Sequence, residues 1–125
     1  MDDAERHEAG MEVRRAVLGD EHVDRAVART TAFTEPFQEF ITRTAWGDVW
    51  QRDGLDRRSR SMITLTALTA LGRENEIEIH VRGALRNGVT PEEIGEVLLH
   101  TAIYAGVPAA NAAFAIAQRV IDEET

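Results

Sequence analysis

One helix ends and another begins within residues 87–94, which read Asn-Gly-Val-Thr-Pro-Glu-Glu-Ile. Thr90 is a typical helix N-cap, Pro91 suits the first helical position, and Glu93 completes a capping box. Gly88 suits the left-handed position that follows a helix end. Apolar or small residues then recur with helical spacing at positions 94, 97, 98, 101 and 105. The stretch therefore predicts two helices joined by a tight turn.

The helical period continues in both directions and predicts an all-α fold of six to seven helices. The predicted helices are Ala4–Leu18, Asp20–Thr31, Pro36–Trp50, Asp56–Leu71, Glu74–Asn87, Pro91–Tyr104 and Pro108–Asp122. No segment alternates convincingly with the period of a strand. A chain of 125 residues is the size of one domain, so we expect a single domain over residues 1–125.

Composition excludes several kinds of chemistry. The chain has no cysteine, which rules out disulfides, thiolate nucleophiles, iron–sulfur clusters and cysteine-ligated zinc. Its formal net charge is −8, and a negative field repels phosphate backbones. We therefore expect neither nucleic acid nor an anionic membrane as a partner.

Nothing in the sequence predicts targeting or membrane insertion. The acidic N-terminus lacks the basic and apolar regions of a signal peptide, so we expect a cytoplasmic protein. The uncharged run 97–118 is long enough to span a bilayer, but it contains His100, Asn111 and a break at Gly106. It is typical of two buried helices.

Two Glu–His pairs have the spacing of neighbours on a helix. Glu76 and His80 lie at the edge of the predicted apolar face of their helix, where a carboxylate can orient an imidazole for proton transfer. An ordinary half-buried pair would have the same spacing. Glu96 and His100 repeat it, but His100 projects away from its apolar face and is expected in solvent or at an interface.

Basic and aromatic residues supply further candidates. Arg58 and Arg60 open a predicted helix, where cations oppose the helix dipole, so they either bind a ligand carboxylate or pair with this chain's acids. Trp46 is a candidate pocket residue, and Tyr104 has a hydroxyl that needs a partner if buried. The phenylalanines at positions 33, 37 and 40 are expected in the core. The scattered histidines do not have the spacing of a metal site.

Several stretches together resemble the carboxymuconolactone decarboxylase family, over nearly the whole chain. They are Arg6–Gly10, Phe40–Arg43, Ala45–Gly47, Arg58–Met62, Glu76 with His80–Arg82, Asn87–Thr90 and Ile103–Asn111. The wider family includes alkylhydroperoxidase-D-type proteins with a Cys-x-x-Cys-x-x-x-His redox site. Aligned on His80, those cysteine positions are Arg73 and Glu76, so the redox chemistry is absent here.

The resemblance implies an alkylhydroperoxidase-D-like all-α fold that assembles into homotrimers or homohexamers. It also implies 4-carboxymuconolactone as the substrate. That lactone can accept the electrons left by CO₂ in its own ring, so no cofactor or metal is expected.

On that basis we expect specific roles for the candidate residues. His80, held by Glu76, would donate a proton, and Arg58 and Arg60 would bind the two substrate carboxylates. Trp46 would exclude water, and Tyr104 or Asn111 would donate to the lactone oxygen. Two alternatives stay open: a decarboxylase or isomerase of another lactone or β-keto acid, and a non-catalytic helical oligomer that binds small acids or proteins.

Overall fold

The structure is a computed structural model, and it describes residues 2–125. Over those residues it contains seven α-helices, one π-helical segment and no strand, which confirms the all-α prediction. The elements are α1 (Asp3–Leu18), α2 (Asp20–Ala28), α3 (Glu35–Ile41), a π-helical segment (Thr42–Val49), α4 (Arg57–Leu71), α5 (Glu74–Arg86), α6 (Pro91–Ala105) and α7 (Val107–Glu124). They form two compact units that divide between Leu55 and Asp56.

In the first unit, the prediction of one α-helix over residues 36–50 is wrong, because residues 42–49 form a π-helical segment. The backbone is α-helical only to Ile41 and then winds more widely, as shown by the 2.9 Å bond from the Trp50 amide to the Ala45 carbonyl. Wide winding of this kind is frequent at functional sites, and apolar periodicity does not reveal it.

Two glycines let α1 lie directly against the π-helical segment. A Cβ on Gly10 would lie 2.0 Å from the Thr42 carbonyl oxygen, and a Cβ on Gly47 would lie 2.7 Å from the Arg6 carbonyl oxygen. Both obstacles are backbone atoms, which cannot rotate away. Glycine at both positions therefore permits the approach of the two helices.

The second unit consists of two helical hairpins, α4–α5 and α6–α7. Arg58 pairs with Glu93 and Thr66 with Thr101, so α4 and α6 share a constant offset of 35 residues and run parallel. The tight turns at Gly72 and Gly106 have positive φ angles of 71° and 103°. The core of this unit consists of Leu65, Ile77, Val81, Ala84, Val89, Ile94, Leu98, Ala113, Ile116, Ala117 and Val120.

The turn predicted at residues 87–94 is confirmed in detail. The Glu93 amide donates to the Thr90 hydroxyl at 3.1 Å, and the Glu93 carboxylate accepts from the Thr90 amide at 2.9 Å. The uncharged run 97–118 is divided between α6 and α7. None of the described helices has the length and apolarity needed to cross a bilayer.

The prediction that the three phenylalanines lie in the core is wrong. Phe33, Phe37 and Phe40 are all exposed, and Phe33 retains 93% of its accessible surface. Their apolar character predicted burial, but Phe37 and Phe40 lie on α3, which has no buried residue, and Phe33 lies in the turn before it. The second unit also exposes large apolar residues, among them Leu99 and Ile103 on α6.

Candidate active site

Helix α5 carries the pair on which the predicted chemistry depends. His80 is half-buried on α5, while Glu76, one turn earlier, is exposed. The imidazole therefore lies at the margin of the core, as expected, and the Glu76 carboxylate lies in solvent. A half-buried histidine can exchange protons with solvent while one side of its ring is desolvated.

Arg58 is held by the turn between α5 and α6. Its guanidinium donates to the Glu93 carboxylate, and its Nε donates to the Gly88 carbonyl at 3.3 Å. The Arg58 hydrogen bond, followed by that of the Thr90 amide, lowers the pKa of Glu93 to about 2. Arg58 thus connects the start of α4 to the capping box, and a ligand carboxylate would compete with Glu93 for it.

A hydrogen bond that the sequence did not predict joins α4 to α5. The Asn87 amide nitrogen donates to the Ser61 hydroxyl at 3.0 Å, and Ser61 is buried. Arg60, immediately before Ser61, is half-buried. Asn87 follows His80 by seven residues, the spacing of one helix face, and this spacing was the available signal. The partner of Asn87 on α4 could not be deduced from it.

Trp46 belongs to the first unit, on the π-helical segment. It is buried, and its ring centroid lies 5.0 Å from that of Trp50, with the two planes inclined at 33°. A π-helical winding places its side chains differently from an α-helix. The direction of the Trp46 side chain therefore depends on the π-helical winding of this segment.

Tyr104 and Asn111 lie on either side of the Gly106 turn, and both are exposed. Tyr104 retains 81% of its accessible surface, and its ring packs against His100 at a centroid distance of 5.2 Å. Neither is buried in the chain itself. Each can reach a ligand only from the surface of the second unit.

Possible metal ligands do not cluster in the part of the chain that the structure describes. Residues 2–125 contain no group of three or more His, Cys, Asp or Glu side chains arranged to hold a metal ion. Of the candidate residues, Arg58 and Arg60 lie on α4, and Glu76 and His80 lie on α5.

Comparison with protein families decides the assignment of the chain. The family model described as carboxymuconolactone decarboxylase matches residues 35–119, which extend from α3 into α7. The chain belongs to the carboxymuconolactone decarboxylase family. This match covers the π-helical segment and all the candidate site residues.

Individual relatives agree with membership of the carboxymuconolactone decarboxylase family. A 4-carboxymuconolactone decarboxylase of Acinetobacter baylyi is 47% identical over 98% of this chain and 92% of its own length. A nitrosuccinic acid decarboxylase of Metarhizium robertsii is 46% identical over 91% of this chain and 80% of its own. A sequence of 4-carboxymuconolactone decarboxylase from Pseudomonas putida is 58% identical over 38% of this chain and all of its own length.

Proposed function

We propose that the protein decarboxylates 4-carboxymuconolactone to 3-oxoadipate enol-lactone in the catabolism of protocatechuate. The observation that carries the proposal is the 47% identity, over nearly the full length of both chains, to a relative named for this activity. We further propose a cytoplasmic homo-oligomer, a trimer or a hexamer, with one domain per subunit.

The chemistry of the substrate defines what the protein must provide. When the C–C bond to the carboxylate breaks, CO₂ leaves and the bonding electrons pass through the ring C=C into the lactone carbonyl. A proton then adds to the ring carbon next to that carbonyl. The reaction consumes one proton and needs no external electron sink, so the protein must bind two carboxylates, stabilise the lactone oxygen and deliver the proton.

The proposed roles are those that the reaction requires of the protein. His80, as an imidazolium, donates the proton and recovers one from solvent, to which its half-buried position gives access. Glu76, one turn earlier on the same helix, orients the His80 imidazole. Trp46, which is buried in the first unit, stays a proposed water-excluding residue.

The two proposed carboxylate ligands, Arg58 and Arg60, both lie at the start of α4. Arg58 already donates to Glu93 and Gly88, so a substrate carboxylate would have to displace an existing partner. We keep both as proposed ligands. Tyr104 and Asn111 remain alternative donors to the lactone oxygen, and because both are exposed, either would act most simply at the edge of a neighbouring subunit.

A second candidate substrate is favoured by a specific observation. The Metarhizium robertsii relative, at 46% identity, is named for nitrosuccinic acid, which is also a dianionic acid whose carboxylate leaves beside an electron sink. The sites of both reactions need paired cations and a proton donor. The chain is therefore expected to be a decarboxylase of a small dicarboxylate in either case.

Substrate profiling separates the two candidates. Purified protein is given each acid at matched concentrations, and kcat/KM is measured from CO₂ release. We expect the lactone to be preferred by at least about 100-fold, because two sites shaped for a ring and for an open chain differ by several contacts. A preference for nitrosuccinate would contradict the proposed substrate but would still support decarboxylation as the reaction. Turnover of neither would contradict both.

A further inference from the structure

Arg14, on α1 in the first unit, is the one buried residue among residues 2–125 that has a charged side chain. It retains only 6% of its accessible surface. Gly10, one turn earlier, brings the backbone of α1 against Thr42, and this close packing leaves little room for water. Burial lowers the pKa of the Arg14 guanidinium, and the charge of Arg15 lowers it further. A cation that loses its water needs a partner to offset the cost.

The partners that the chain gives Arg14 do not neutralise it. Its Nη1 donates to the Thr42 hydroxyl at 3.4 Å, which is long for a hydrogen bond. That hydroxyl donates its own proton to the Gln38 carbonyl at 2.7 Å and carries no charge. The Arg14 Nε is buried without a hydrogen-bond partner, and no carboxylate of residues 2–125 pairs with the guanidinium. Buried charges are normally paired, so these observations indicate a counter-ion from outside the chain.

The backbone and charges next to Thr42 also suit an anion. Thr42 is the first residue of the π-helical segment, and such winding is frequent at functional sites. Glu39, three residues earlier, is already shared by two cations: its carboxylate lies 3.1 Å from Nδ1 of His7 and 3.6 Å from Nη1 of Arg43. The chain as a whole has a formal net charge of −8, yet its one buried cation has no acid of its own.

We infer that Arg14, held by Thr42, binds one carboxylate group of a small acid. A guanidinium binds a carboxylate through two parallel N–H···O bonds, and the edge that contains Nε is the one that Thr42 does not contact. One cation matches the single charge of a carboxylate, whereas a phosphate dianion would leave a second charge buried without compensation. Because the site lies wholly in the first unit, it does not depend on the proposed role of His80.

Acetate is the probe for this site, and chloride is the reference anion. Because Nε is covered by the chain, a carboxylate reaches it only with a local movement of α1, so the probe must be small. The midpoint of urea unfolding is measured by circular dichroism at fixed protein concentration and equal ionic strength. A ligand that binds only the folded chain raises this midpoint in a saturable way. We expect that rise in the wild type with acetate and not with chloride. In Arg14→Met, the dissociation constant for acetate should rise by about tenfold or more.

Arg14→Met also separates ligand binding from a structural role. Methionine keeps a long unbranched side chain and removes the charge, so in chloride the variant should be at least as stable as the wild type. If Arg14 instead had a structural partner, the variant would be less stable or would not fold, and that result would overturn the inference. Arg14→Lys keeps the charge without the planar edge, and it should bind acetate more weakly than the wild type.

Arg15→Met is the matched control. Arg15 is the next residue on α1, but it is half-buried and pairs with Asp20 and Asp24. The variant also loses one positive charge and should keep the wild-type response to acetate. The Arg14 site would be overturned by an equal loss of response in Arg15→Met, by a full response in Arg14→Met, or by no response in the wild type.

Enzyme kinetics distinguish two sources of the carboxylate. If the substrate of the proposed decarboxylation supplies it, acetate should inhibit CO₂ release competitively, with an inhibition constant equal to its dissociation constant from unfolding. If a separate small acid supplies it, acetate should stabilise the chain without inhibiting. Either result supports the Arg14 site. Because the unfolding titration needs no turnover, failure of the proposed function and failure of this site are distinguishable.

Discussion

Replacing Gly10 by alanine tests the closest backbone approach in the first unit. The new Cβ would lie 2.0 Å from the Thr42 carbonyl oxygen and 2.9 Å from the Gly47 amide nitrogen. Overpacking costs about 1–3 kcal/mol, and the upper end applies because no side chain can move aside. Alanine recovers about 1 kcal/mol of helix propensity, so the net loss is about 2 kcal/mol.

Gly95→Ala is the matched control, because Gly95 also lies inside a helix and a Cβ there meets no atom within 4 Å. Gly95→Ala therefore gains helix propensity without a steric cost, and the free energy of unfolding should rise by up to about 1 kcal/mol. Chemical denaturation monitored by circular dichroism measures both variants. If Gly10→Ala is as stable as Gly95→Ala, α1 does not pack on the π-helical segment as described.

The remaining predictions concern the second unit. The pKa of Glu93 is lowered to about 2, so its contribution to stability is present above the ordinary carboxyl pKa of 4.5 and is lost as the pH falls from there towards 2. Glu93→Gln should therefore flatten the acid side of the unfolding free energy against pH; an unchanged slope would contradict the Arg58 pairing. Asn87→Ala should cost about 1–2 kcal/mol in denaturant unfolding, because it removes the partner of the buried Ser61 hydroxyl; no loss would mean that this bond does not contribute. Arg60→Lys keeps the positive charge but loses the planar guanidinium that can bind a carboxylate through two N–H groups. We expect kcat/KM, measured from CO₂ release, to fall by about tenfold or more. Wild-type kinetics in this variant would show that Arg60 does not bind the substrate.

Local signals predicted most of the helices because several helix ends carry their own capping residue or glycine turn. The capping box at Thr90 and the glycine turns at Gly88 and Gly106 were identifiable residue by residue, and the structure has them where they were predicted. The change from α- to π-helical winding at Thr42 could not be predicted from local signals. There α1 packs against residues more than 30 positions away in the sequence.

The candidate site was predictable only in part. Spacing placed His80 at the edge of the core, and the structure agrees. Spacing could not show that Arg58 donates to Glu93, or that Ser61 accepts from Asn87, because these partners lie 35 and 26 residues apart. Apolar character predicted burial of Phe33, and it failed because it does not distinguish a core from an exposed surface.

The central claim is that this chain removes CO₂ from a dicarboxylate lactone with His80 as the proton donor. The most direct measurement is CO₂ release and enol-lactone formation from fresh 4-carboxymuconolactone, by EDTA-treated wild type and by His80→Ala. We predict turnover by the wild type without added metal, and a rate about 10²–10⁴-fold lower in the variant. No CO₂ release by the folded wild-type protein would contradict the claim, and an equal rate in His80→Ala would contradict the role of His80.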